Sequence, residues 1–157
     1  MIERIGSSVE FVRRHPEMFV GPSGQPDLRT LAGELAVDAL ILDEPSVTVE
    51  RFNEWFIVGA REDWLTRNTK LSVVECFHRV QAFPEHRPNS NRTPVVITAF
   101  AANVLVLGSE GQTIIKGCSG DLVALTTHIG SRFSGWRVVA FAGLVPPERP
   151  TPATATA

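Results

Sequence analysis

The hydrophobic residues change their spacing partway along the chain, and that change limits the fold more than any other feature. Leu28, Leu31, Leu35, Ala39 and Leu42 recur at three- and four-residue steps, the period of an amphipathic helix. Beyond Pro45 the period shortens. Val47 and Val49, then Phe56, Ile57 and Val58, read as two short strands about a polar turn, Arg51 to Glu54. Val104–Leu107 and Gln112–Lys116 flank Gly108-Ser-Glu-Gly111, a hairpin signal. Leu122–Thr127 and Arg137–Phe141 bring the expected strands to about six. Helices come mostly first and hairpin strands mostly last. That order predicts an α+β fold, a two-layer sandwich with helices packed on one mostly antiparallel sheet.

Local signals set the expected boundaries. Ser7 or Ser8 caps a helix running through His15, where Pro16 stops it, since a residue before proline avoids helical torsions. Gly21-Pro22-Ser23-Gly24 is a turn, and Pro26 suits the first position of the long helix. Asp43-Glu44-Pro45 ends that helix. Asn68 or Thr69 is read as the cap of a third helix, with Leu71, Val74, Phe77 and Val80 on one face, reaching about Phe83. Pro84 to Pro94 is a loop holding three prolines, and Thr93-Pro94 opens a short apolar helix, Val95 to Ala102. Residues 1–145 are expected to form one domain. Residues 146–157, rich in Pro, Thr and Ala, are expected to form a disordered tail.

Composition narrows the classes of function. The chain has 157 residues, about one domain's length. Its 15 Lys and Arg against 17 Asp and Glu give a net charge of −2, without the basic surplus of a general nucleic-acid binder. Hydrophobic residues at 43% and charged residues at 20% exclude wholesale disorder. The longest apolar run, Val95 to Leu107, is broken by Thr98 and Asn103 and falls short of the roughly 20 residues of a membrane span. Met1 to Ser8 is polar, with Glu3 where a secretory signal has basic residues. Cys76 and Cys118 form no Cys-x-x-Cys pair and are read as buried thiols in a reducing compartment. A cytoplasmic protein is therefore expected.

Val12-Arg-Arg-His-Pro-Glu-Met-Phe-Val-Gly21 resembles the Val-Arg-x-Arg-Pro-x-Met-Tyr-Ile-Gly segment that opens the ATPase domain of DNA gyrase B and related type IIA topoisomerases. That domain belongs to the GHKL superfamily, with Hsp90, the histidine kinases and MutL. The similarity continues in register. Leu28–Asp38 resembles the family's helix carrying a catalytic glutamate and a metal-binding asparagine. Val47–Val58 is similar to the hairpin before its Asp-x-Gly-x-Gly turn, and Lys70–Ala82 to the helix before its lid. Val104–Cys118 and Ile129–Phe141 are similar to its later hairpin and Thr-Gly-Thr segment. The resemblance covers residues 6–145 and implies the GHKL (Bergerat-type) two-layer sandwich.

The resemblance also says which chemistry to look for. Glu34 stands at the general-base position, and Asp38, one helical turn on, stands where the family's asparagine holds Mg²⁺. A carboxylate also ligates Mg²⁺. The adenine-binding aspartate and its glycines are matched by Ile57-Val-Gly-Ala-Arg-Glu-Asp63, where neither Gly59 nor Ala60 has a carboxylate and Arg61 and Asp63 replace glycines. Glu62 or Asp63 would substitute only after a shift of register. The family's lid is a glycine-rich cradle of amides for phosphate. Glu85 to Pro94 contains no glycine, and Arg87 and Arg92 offer phosphate only their charge. Trp136 replaces the threonine that supports adenine, and is read as filling a vacated pocket. Gly59, Arg92, Trp136 and Asp38 thus mark an altered nucleotide site, with Glu34 its one unchanged residue.

Other motifs carry no chemistry. Cys76 and His78 face different sides of a helix, which argues against zinc. The serines lack a nucleophile-elbow pattern, and Arg13-Arg14-His15 reads as a solvated helix end. The expectation is a degenerate gyrase B-like domain, a pseudo-ATPase that does not hydrolyse ATP, needs no cofactor and acts by binding a protein or itself. The alternative is a Mg-ATP-binding or slow ATPase domain working through Glu34 and Asp38. Neither form carries a transducer or DNA-cleaving module, so no topoisomerase activity is expected of these residues alone.

Overall fold

A computed structural model describes residues 7–42 and 44–148. The helices are α1 (Ser8–Arg14), α2 (Pro16–Phe19), α3 (Leu28–Ile41), α4 (Val73–Cys76), α5 (Pro94–Phe100) and α6 (Val123–Arg132). The strands are β1 (Val47–Phe52), β2 (Trp55–Ala60), β3 (Ala101–Gly108), β4 (Gly111–Lys116) and β5 (Arg137–Leu144). The strands form one antiparallel sheet in the order β1-β2-β5-β3-β4. The α+β expectation of helices laid on an antiparallel sheet is met.

The period-2 alternation of β5 assigns the two faces. Val139 and Phe141 join Val58 and Ala60 of β2 in a core beneath α1, α3 and α5. Val138, Ala140 and Ala142 turn the other way, joining Ile57 and Leu105 beneath Leu125, Ile129 and Phe133. The main helical layer thus covers one face, and among the described residues α6 is the helix that packs against the other.

Several boundaries move, each for a local reason. Pro26 precedes α3 rather than opening it, because the Asp27 carboxylate accepts from the Arg29 N–H and makes Asp27 the cap. Pro16 follows α1 but opens α2. The third helix shrinks to one turn, capped by Ser72 and Glu75 in a reciprocal box. Its expected apolar face is not continuous: Phe77 is buried, whereas Val74 and Val80 are exposed. Asn68, one of its expected caps, takes a left-handed φ of 59° instead.

The segment Leu122–Thr127, expected as a strand, is the start of α6. The Asp121 carboxylate accepts the Val123 N–H at 2.8 Å, and Leu125, Ile129 and Phe133 recur every four residues along the buried side. The sheet therefore has five strands, not six. The β1–β2 turn narrows to Asn53-Glu54, with Asn53 at φ 52°. The β3–β4 hairpin turns through Ser109-Glu110, as its glycine pair suggested. Helix α5 stops at Phe100 and passes directly into β3.

The Val145 N–H donates to Phe100 O, and the Glu148 N–H to Arg13 O. Residues 149–157, most of the expected tail, and Asp43 of the expected helix stop lie outside the described residues. No helix among the described residues is long and apolar enough to cross a membrane.

Candidate functional site

Helix α3 turns Leu28, Leu31, Leu35 and Ala39 into the core, so the positions between them face outward or sideways. Glu34 and Asp38, four residues apart, share one side. With Thr30, Gly33 and Val37 they form one wall of a cavity of about 620 Å³. Met18 and Phe19 of α2 also line it. The loop after α4 supplies the facing wall, including Phe83, His86, Arg87 and Asn91, and Thr93 and Val96 lie where α5 begins.

That loop is a closed unit. Ala82 bridges Asn91, the Phe83 N–H donates to Ser90 O at 2.8 Å, and the Ser90 N–H donates to Arg87 O. The N–H groups of His86 and Arg87 both reach Phe83 O. Amides satisfied within the loop do not form the outward-facing nest an anion needs.

The two carboxylates differ. Asp38 is 6% exposed, and its Oδ2 accepts the Thr93 N–H at 2.7 Å. Burial pushes its pKa up to about 7, against the opposing pull of Thr93 and of the Arg92 charge; the nearby Glu34 charge adds to the rise. Glu34 is exposed, and among the described residues it has no hydrogen-bond or ion-pair partner. Partial desolvation at the cavity wall still raises its pKa above the ordinary carboxylate value.

The remaining expected site residues lie elsewhere. Gly59 follows Ile57 onto the α6 side of the sheet, where a Cβ would meet Phe133, Trp136 and Val138, each at 3.5 Å. Trp136 packs there against Phe133, with the Arg61 guanidinium over its ring. Gly59 and Trp136 thus meet each other, on the face opposite Glu34 and Asp38. Arg92 is buried behind the loop, its guanidinium over Phe83, 3.6 Å from Glu85 and donating to Leu65 O. It does not line the cavity, whereas Arg87 does.

Asp63, the shifted substitute for an adenine acceptor, already has partners. It accepts from Arg137 at 3.0 Å, from the Thr66 hydroxyl and from the Leu65 N–H. Burial alone would raise its pKa, but the bonds from Arg137 and Thr66 hold it below the usual range. Its neighbours Trp64 and Leu65 enter the core on the α3 side.

The sequence reading missed His86, Asn89, Ser90 and Asn91 as cavity residues. Their signal was the polar composition of the loop around Arg87. Among the described residues, no group of three or more His, Cys, Asp or Glu is placed to hold a metal ion. Comparison with family models, with curated proteins and with solved structures finds no match.

Proposed function

We propose that this chain is a degenerate GHKL domain related to that of gyrase B, a pseudo-ATPase acting as a protein-binding or regulatory module. One observation carries the reading. Asp38, at the position that would hold Mg²⁺, is buried, partly protonated at neutral pH and bonded to the Thr93 N–H. A metal ligand must be ionised and open to the ion. The loop's internally bonded amides and the placement of Gly59 and Trp136 on the other sheet face support the same conclusion. These residues do not fit Mg-ATP in the family's manner. The exposed apolar side chains of Met18 and Val37 at the cavity, and of Leu40 one turn along α3, support a protein contact. A cytoplasmic location without direct nucleic-acid contact belongs to the same reading, supported by the charge of −2.

Calorimetric titration with Mg-ATP tests it. No saturable heat and no rise in melting temperature are expected at millimolar nucleotide, where a Kd near 100 μM would add about 1.4 kcal/mol of stability. Turnover that disappears in Glu34→Ala would replace this reading with the ATPase alternative.

A further inference from the structure

The cavity has walls of opposite character. Helix α3 contributes two carboxyl groups, Glu34 and Asp38, and the loop contributes the Arg87 guanidinium and the side-chain amides of Asn89 and Asn91. Among the described residues no ion pair spans the gap: Glu34 has no partner, and the one hydrogen bond of the Arg87 side chain runs to its neighbour His86. Asp38 is more than nine-tenths buried; its Oδ2 takes the Thr93 N–H, and the residue lines the cavity. The lining also holds the apolar side chains of Phe19, Phe83 and Val96 and the polar ones of His86, Ser90 and Thr93.

Each wall excludes a class of ligand. A purely apolar molecule would take the carboxylates out of water without a partner. A polyanion would meet two carboxylates and one arginine, and a dication would meet Arg87. A molecule charged positively at one end and negatively at the other satisfies both walls. The volume of about 620 Å³ lies within the range of small-molecule sites.

We propose that this cavity binds a small zwitterion, its ammonium group against the exposed Glu34 carboxylate, with Asp38 beside it, and its carboxylate against Arg87, Asn89 and Asn91. This goes beyond the pseudo-ATPase reading but rests on it, since a nucleotide would occupy the same space.

The test is a calorimetric series of unbranched ω-amino acids, from glycine to 6-aminohexanoate. Butylamine and butyrate serve as one-ended controls, and Mg-ATP is a separate arm. One chain length is expected to bind best, at least about tenfold tighter than either control, a gap that corresponds to one well-made charged contact. Glu34→Gln and Arg87→Gln are each expected to weaken it about tenfold. Both residues are exposed, and thermal melts of the two variants are the check that they fold. Butylamine binding as tightly as the best zwitterion, unchanged affinity in either variant, or no saturable heat across the series each overturns the proposal and leaves the pseudo-ATPase reading in place. Mg-ATP turnover dependent on Glu34 overturns both.

Discussion

On the α6 side of the sheet, the Glu50 carboxylate lies 2.5 Å from His128 Nε2 and 2.8 Å from the Arg132 guanidinium, and the His128 ring stacks on Phe52. On the α3 side, Glu34 has no such partner among the described residues, and the buried Asp38 has a main-chain N–H. Burial alone would raise the Glu50 pKa, yet the bonds from His128 and Arg132 hold it below the ordinary value; Glu34 and Asp38 are raised. One face neutralises its charge and fills its volume, with Phe133 and Trp136 against Gly59. The other keeps a cavity and leaves charge in its wall. Perturbed carboxylates beside a cavity make the α3 side the candidate place for binding.

The sharpest break of this contrast comes from truncating each face. Phe133→Ala is expected to cost about 3–5 kcal/mol in urea unfolding, because it empties a closed core. Met18→Ala at the cavity, where the side chain is 62% exposed, is expected to stay within about 0.5 kcal/mol. Similar losses at the two positions would mean that both faces are packed alike.

Asp38→Asn comes next. The asparagine carbonyl still accepts the Thr93 N–H, so the substitution removes charge and keeps the contact. The folded pKa of about 7 lies above the ordinary 3.8, so between those values the folded state binds more protons than the unfolded state. Wild-type stability attributable to Asp38 is therefore complete below about pH 4 and declines as pH rises to about 7. The variant is expected to be up to a few kcal/mol more stable than wild type at pH 8 and to lack that slope. Equal stability of the two proteins across this range would remove the unmatched charge from the cavity side.

Glu50→Gln tests the other face with the opposite sign. A folded pKa below the ordinary 4.5 gives stability that is present above that value and lost as pH falls through the folded one. The variant is expected to lose at most about 1 kcal/mol at pH 7, since the ion pair remains partly open to solvent. It should lose less than wild type on acidification.

How much of this contrast was legible in the sequence depends on how local each signal was. Helix α3 was legible because Leu28, Leu31, Leu35 and Ala39 carry its period within one segment. The four-residue step from Glu34 to Asp38 placed both on one side of it. Helix α6 was not: Val123 to Thr127 is short and rich in β-branched residues, and the stripe completed by Ile129 and Phe133 lies beyond it. Gly59 and Trp136 were assigned to the same site as Glu34. Their face follows from strand alternation about Ile57 and Val58, and which face α6 covers is settled only by tertiary packing. Arg92 and Arg87 offered the same charge from one loop, and only the Ala82–Asn91 closure separates the buried one from the one at the cavity.

The smallest stability effect, and the finest test of the α3 wall, belongs to Glu34→Gln. An exposed residue without a partner is expected to change stability by less than about 0.5 kcal/mol in either direction. Its charge nevertheless raises the Asp38 pKa, so its removal should move the Asp38 midpoint down from about 7 while leaving the burial contribution in place. Carboxyl-carbon NMR titration of Asp38 in the two proteins reads this directly. A lowered midpoint at unchanged melting temperature means that the two carboxylates act on one another across a shared cavity wall. An unmoved midpoint means that water screens them, and burial alone then accounts for the raised Asp38 pKa.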